Sequence, residues 1–338
     1  LIYGCGHGVP AGRVVQVSAA PAARKGSATM TTHATNRRVQ VSPVTSIIGA
    51  EIDGVNLREP LDTQTVSEIA DALVQWKVLF FRNQAISYDQ QIAFARNFGE
   101  VTPAHPIEPG LVEKPEIYVV DSREEKALFG HGHARPKFAP PRLTATGWHT
   151  DITFVANPAL ASILRGAVIP PYGGDTLWTN LVAAYEDLSE PIRDLIDHLH
   201  AVHQWHGFTG ETREGYDRNQ PPPAAVHPVV RVHPVTQERA LFVNPGFTRY
   251  IVGLTDRENR RILDLLFDQI ARPEFTVRFR WETDSLAFWD NRATAHLGPV
   301  DLASSDFDRR VERVTITGDL PIGPDGFESV PLRGELFT

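Results

Sequence analysis

Short apolar runs rich in Val, Phe and Trp, bounded by Gly and Pro, recur from about residue 37 to residue 317. This punctuation constrains the fold more than any other feature, because such runs are too short for helices and too regular for loops. VLFFR at 78–82 is apolar throughout, and further strands are predicted at 117–121, 160–168, 175–179, 227–232, 240–243, 275–281, 285–289 and 312–317. One or two more fall within 37–52. Helices are predicted from Asp62 or Thr63 to about 76, from the Ser87 cap to about 98, over 182–199, and from the Thr255 cap to 270. Strands with helices appended before them and inserted among them (about 180–270) predict a mainly β, α+β chain. The architecture expected is an antiparallel barrel or jelly roll. No internal repeat and no linker divides it, so residues 30–338 are expected to form one domain.

Residues 1–29 are small, contain no acid and continue no strand or helix period. Their basic residues follow the apolar ones, which is the wrong order for a secretory signal. They are expected to be an extension, disordered or not native, with Met30, the single methionine, as the natural start. The net charge of −8 argues against nucleic-acid binding, and no apolar run is long enough to span a bilayer. One cysteine, Cys5, excludes an intramolecular disulfide, so a cytoplasmic protein is expected.

Thirteen histidines invite a search for metal ligands. His149-Thr150-Asp151 stands where the chain leaves a long loop (122–147) expected to be a lid. If a strand begins there, the imidazole and the carboxylate share a face. Two such ligands lack one member of the 2-His-1-carboxylate set of a non-haem Fe(II) site, and His296, near a C-terminal strand, is the natural third. His198, His200, His203 and His206 straddle a predicted helix end, but no cysteine or carboxylate completes a zinc set there. His227 and His233 are expected to be structural. Arg313 falls in the strand predicted at 312–317, where a buried guanidinium requires an anion, and a carboxylate fits its planar fork. Arg309 reads equally as such a group or as a solvated charge, and Arg310 as a solvated charge beside Asp306 and Asp308.

Taken in order, WHTDITF (148–154), GGDTLW (173–178), HPVV (227–230), LFVNPGFT (241–248), WDNRATAH (289–296) and RRVERVTITGD (309–319) resemble the taurine dioxygenase branch of the Fe(II)/2-oxoglutarate-dependent dioxygenases. The resemblance runs from about residue 39 to 321. It implies a double-stranded β-helix of the cupin-like kind, with His149, Asp151 and His296 as iron ligands. Thr176 and Arg309 match the residues that hold the distal carboxylate of 2-oxoglutarate, although a slip of one would give Arg310 that place. Arg313 matches a second arginine near the other carboxylate and the substrate's anionic group. The implied reaction consumes O2 and 2-oxoglutarate, releases succinate and CO2, and hydroxylates a small anionic organic substrate. Asp151 argues for hydroxylation, since halogenating relatives lack that carboxylate. A homodimer or homotetramer is implied by analogy only.

For the substrate, His105 matches a histidine that touches a sulfonate, and Phe247 an aromatic wall. The tyrosine expected three residues after His105 is Glu108, which could pair with an ammonium or face solvent. An asparagine expected ahead of His149 has no counterpart. A sulfonate or an alkyl sulfate ester is therefore expected, with carboxylic or aryloxy acids as an alternative. A different class of protein, a barrel binding metal and anion without catalysis, need not keep Thr176, Arg309 and Arg313 beside three ligands. Their joint presence favours the enzyme.

Overall fold

The computed structural model describes residues 38–123, 147–205, 221–299, 301–302 and 307–338. The extension 1–29 and most of the expected lid, with His131 and His133, lie outside the described residues. The largest sheet has seven strands in the order β1 (Gln40–Pro43), β2 (Ala50–Asp53), β3 (Val78–Phe81), β13 (Leu286–Asp290), β5 (Ala161–Val168), β15 (Arg310–Ile316) and β4 (Tyr118–Asp121). All its pairings are antiparallel except β2 with β3. Facing it is a three-stranded sheet ordered β12 (Thr276–Phe279), β6 (Thr176–Asn180) and β14 (Thr294–Leu297). Two opposed, largely antiparallel sheets form the jelly roll.

Strand alternation builds both layers of core. Phe80, Leu164, Ala287, Trp289 and Val311 leave the large sheet on its inner side and meet Trp178, Val277 and Phe279 from the small one. Phe80 and Phe279 stack with ring centroids 4.1 Å apart. The intervening residues Leu79, Phe81, Ile163, Leu286, Phe288 and Val314 point the other way, onto α1 (Thr63–Trp76) and α2 (Tyr88–Arg96). Runs such as VLFF are thus apolar because both faces are covered. Asp62 caps α1 by accepting from Thr65 N, and Ser87 with Gln90 forms a capping box on α2, as their sequences predict.

The insert differs from expectation in its helix and in its strands, since strands at His200–Gln204 and Thr248–Ile251 are not predicted and the one predicted at 227–232 divides into Ala224–Pro228 and Val230–Val232. In place of a single helix over 182–199 there are α3 (Leu181–Glu186) and α4 (Glu190–Ile196), followed by strand β7 (His200–Gln204). Pro191 lacks an N–H and would collide with the preceding turn, so the helix restarts from Ser189. β7 then joins a four-stranded sheet ordered β11 (Thr248–Ile251), β7, β8 (Ala224–Pro228) and β16 (Val330–Arg333). β9 (Val230–Val232) and β10 (Arg239–Leu241) form a hairpin, and α5 (Asp256–Ile270) starts from a Thr255–Glu258 capping box. His200 and His203 consequently lie on a strand and, among the described residues, join no metal set.

His203 and His227 are fully buried. His203 bonds the hydroxyls of Thr153 (2.9 Å) and Thr248 (3.0 Å), and His227 bonds Ser329 Oγ (2.7 Å) and Thr153 O (2.8 Å). Burial pushes His227 down to about 4 and holds His203 well below its ordinary value. The unfolded chain therefore binds more protons than the folded one between pH ~6.5 and the lowered values. Stability from this pair is fully present above pH ~6.5 and lost as pH falls toward 4, by about 3 kcal/mol for His227 alone. Urea midpoints measured from pH 7.5 to 4.5 should show that decline, and His227→Gln should flatten it.

Candidate active site

The same alternation decides which side chains enter the space between the sheets. Ser162 on β5, Thr176 on β6, Trp289 on β13, His296 on β14 and Arg313 on β15 all share the inward face of their strands. His149 is joined to His296 by a single antiparallel bridge, with reciprocal backbone bonds of 2.9 and 2.7 Å. The strand expected at His149–Asp151 does not form. The chain turns at once through Ile152, whose φ is +48°, and Thr150 ties the turn down by donating to Thr294 O at 2.9 Å. The turn, not a shared strand face, carries the Asp151 carboxylate toward the two imidazoles.

One ligand atom each from His149, Asp151 and His296 lies within 4.8 Å of the others, the one such group among the described residues. Asp151 Oδ1 is 3.9 Å from His296 Nε2, and the imidazole centroids are 4.1 Å apart. His149 Nδ1 faces Gly147 O at 3.0 Å, so it carries the proton and leaves the Nε2 lone pair for an ion. His296 packs against Trp289, 5.0 Å between centroids. Burial lowers both histidines, His296 to about 3, so both rings are neutral near pH 7. Burial alone would raise the Asp151 carboxyl. The Arg313 guanidinium, the two imidazoles and the Ser162 hydroxyl bring it down to about 2 instead. Two neutral nitrogen donors and one ionised oxygen donor suit a divalent transition metal.

Beside this group, Thr176 Oγ1 accepts from Trp281 Nε1 (3.0 Å) and from Arg309 Nη2 (3.3 Å). A hydroxyl that accepts twice has its own proton left for an acceptor such as a carboxylate. Arg309 is buried, with its Cζ 5.9 Å from the Trp281 ring. Gly174 makes room for it: its φ is +74°, and a Cβ there would stand 3.1 Å from Arg309 Cδ. Arg310 turns outward to Glu312 (2.9 Å) and Tyr88 (3.1 Å), so the one-residue slip left open by the sequence places no guanidinium at Thr176. Trp281 was not a sequence candidate. The signal available was the alternation of Phe279 and Trp281 next to Thr176, since Phe279 pairs with Thr176 across β12 and β6.

Arg313 donates to Asp151 Oδ1 and lies 4.9 Å over the ring of Tyr118, its cross-strand partner on β4. Tyr118 in turn donates to Glu108 and stacks on His105, 5.6 Å between centroids. Glu108 is buried rather than facing solvent, and the phenol missing at position 108 enters from Tyr118. His105 Nδ1 accepts from the backbone N–H groups of Ile107 (3.2 Å) and Glu108 (3.1 Å), which leaves Nε2 as the donor. Phe154, Trp205 and Phe247 continue the wall, with Phe247 edge-on to His149 at 6.0 Å.

A family model described as taurine catabolism dioxygenase TauD, TfdA family, matches residues 40–315. The chain belongs to the TauD/TfdA family. It is 40% identical over 304 residues to an alpha-ketoglutarate-dependent sulfate ester dioxygenase of Pseudomonas putida, covering 85% of this chain and 92% of that protein. An alkylsulfatase of Acinetobacter baylyi is 36% identical over 312 residues, covering 88% and 92%. The crystal structure of a taurine dioxygenase from Burkholderia xenovorans superposes with a TM-score of 0.77 at 46% identity, covering 88% and 96%. The protein is thus an alpha-ketoglutarate-dependent dioxygenase of jelly-roll fold. No helix among the described residues is long and apolar enough to cross a membrane.

One residue of this TauD/TfdA site shows how tightly it is packed. Gly246 N donates to Trp148 O at 3.1 Å, and a Cβ on Gly246 would fall 2.8 Å from His149 Cβ. Gly246→Ala must displace His149, and misplacement of that order is expected to lower turnover ~10-fold or more. Succinate formation measured beside the thermal midpoint checks this, since an unchanged midpoint assigns the loss to the displaced ligand at this half-buried turn.

Proposed function

We propose that the protein hydroxylates alkyl sulfate esters, and apolar sulfonates with them, using Fe(II), O2 and 2-oxoglutarate. His149, Asp151 and His296 would hold the metal, which when bound supplies the oxidising power for attack on an unactivated C–H bond. Thr176 and Arg309 grip the distal carboxylate of 2-oxoglutarate from opposite chemical sides, a hydroxyl proton and a guanidinium fork. His105, through Nε2, and Arg313 offer donors to the sulfate oxygens. Phe154, Trp205 and Phe247 exclude water and seat the organic part. One oxygen atom of O2 enters the carbon bearing the ester oxygen and the other enters succinate, with release of CO2. The resulting hemiacetal-like sulfate ester then loses sulfate to give an aldehyde.

The observation that carries the substrate class is the joining of anion donors to an apolar, largely aromatic wall. Among the described residues, nothing in that wall matches the small ammonium end of taurine: the carboxylate at Glu108 is engaged by Tyr118. The sulfate ester dioxygenase and alkylsulfatase relatives support the same reading. Succinate release over a panel of alkyl sulfates, longer alkanesulfonates, taurine and aryloxyacetates tests it. Alkyl sulfates are expected to lead in kcat/KM, and a panel led by taurine or an aryloxyacetate overturns the assignment. Independently, Fe(II) and 2-oxoglutarate added without oxygen should give a weak visible charge-transfer band that His149→Ala removes.

A further inference from the structure

Asp151 has two carboxylate oxygens, and their partners differ. Oδ1 lies toward His296 Nε2 at 3.9 Å and also accepts from Arg313, whereas Oδ2 accepts from Ser162 Oγ at 2.7 Å. That bond ends a chain of three. Trp289 Nε1 donates to Asn291 Oδ1 at 2.9 Å, and Asn291 Nδ2 donates to Ser162 Oγ at 2.9 Å. The direction of every link follows from the first. An indole N–H can only donate, so Asn291 must present its oxygen to Trp289 and its amide nitrogen to Ser162. A serine hydroxyl that accepts from the amide has its one proton left for Asp151. Ser162 is 0% exposed, Asn291 and Trp289 1%, and Asp151 2%, so bulk water does not compete for these bonds. Strand register assembles the chain: Ser162 pairs directly with Trp289 across β5 and β13, and a slip of one residue would turn Ser162 to the helix side.

We propose that Ser162 and Asn291 are positioning residues that hold Oδ2 and reserve Oδ1 for the metal. The proposal rests on the metal reading above. A carboxylate free to rotate could give both oxygens to an ion and so take up one more coordination position. Held by Ser162, it gives one, which leaves room for a two-oxygen keto acid and for dioxygen. Trp289 has a second effect, since it also packs on His296, and so it is the less clean site to vary.

Titration of the whole protein with cobalt(II), read by its visible absorption, tests the chain without turnover. Ser162→Ala is expected to weaken cobalt binding ~10–100-fold, the usual size of an effect transmitted to a ligand by its hydrogen-bond partner. Asn291→Ala should weaken it by about 3-fold or more, and the double variant should bind no worse than Ser162→Ala, because links of one chain do not multiply. Melting of the metal-free variants verifies that they are folded, and should Ser162→Ala fail to fold, Asn291→Ala alone decides. Wild-type affinity in Ser162→Ala or in Asn291→Ala, or losses that multiply in the double variant, overturns the proposal. Cobalt binding that survives His149→Ala would instead overturn the metal reading itself.

Discussion

Asp151→Ala is expected to lower succinate formation by at least ~10³-fold, equivalent to about 4 kcal/mol of transition-state stabilisation, and to abolish cobalt(II) binding at micromolar metal. Asp151 is the one anionic member of the ligand set, and it sits opposite a guanidinium that is 11% exposed. Removing it leaves Arg313 directed at two neutral imidazoles, so the site changes from one that attracts a dication to one that repels it. The bonds from Ser162 and Arg313 lose their acceptor at the same time. Asp151→Asn separates charge from shape. It keeps an acceptor for Ser162 but sets an amide or an uncharged oxygen against Arg313, and should be nearly as inactive. Retention of more than about a tenth of wild-type turnover by Asp151→Ala would remove this residue from the metal centre.

How far the sequence reveals this site depends on the distance over which each cue acts. His149 and Asp151 are two residues apart and share one chemistry, so a local pattern exposes them even though the turn that joins them is not a strand. His296 follows from needing a third ligand near a late strand. Thr176 has no local signal of its own and comes only from resemblance to a family, while Arg309 beside a strand leaves a buried ion pair and a solvated charge equally open until that resemblance is added. Trp281 and Tyr118 act through register: one is placed by β12 against β6, the other by β4 against β15, and no single segment contains both partners. Glu108 has the same explanation, since its burial depends on a phenol ten residues away on β4. The fold shows the same division. Strands covered on both sides, such as β3 and β13, stand out as apolar runs, while β16 is exposed along its whole length and shows no pattern to read. The split of the predicted helix at Pro191 has a local cue, since a proline tolerated only in a first turn marks a restart within the apolar period of 182–199.

Arg309→Ala is expected to raise the KM for 2-oxoglutarate by ~10²–10³-fold, the cost of truncating one partner of a buried, hydrogen-bonded charge pair. Arg309 is 4% exposed, its guanidinium is backed by the Trp281 ring, and Gly174 allows its stem to run against the backbone. A charge held in that way has little to gain from water and much to gain from a carboxylate. Arg309→Lys should recover only part of the loss, because a point charge on a flexible stem cannot reproduce the planar fork. Trp281→Phe makes a graded comparison: it removes one donor from Thr176 Oγ1 while keeping an aromatic ring, so a rise of about 10-fold is expected. Cobalt(II) affinity should stay within about 3-fold of wild type in all three variants, since none touches His149, Asp151 or His296. A KM unchanged in Arg309→Ala but raised in Arg310→Ala would transfer the role to the neighbouring arginine, whose side chain turns to Glu312 and Tyr88. Equal losses of metal and cosubstrate affinity would show instead that Arg309 supports the fold of the site and not the binding of the keto acid.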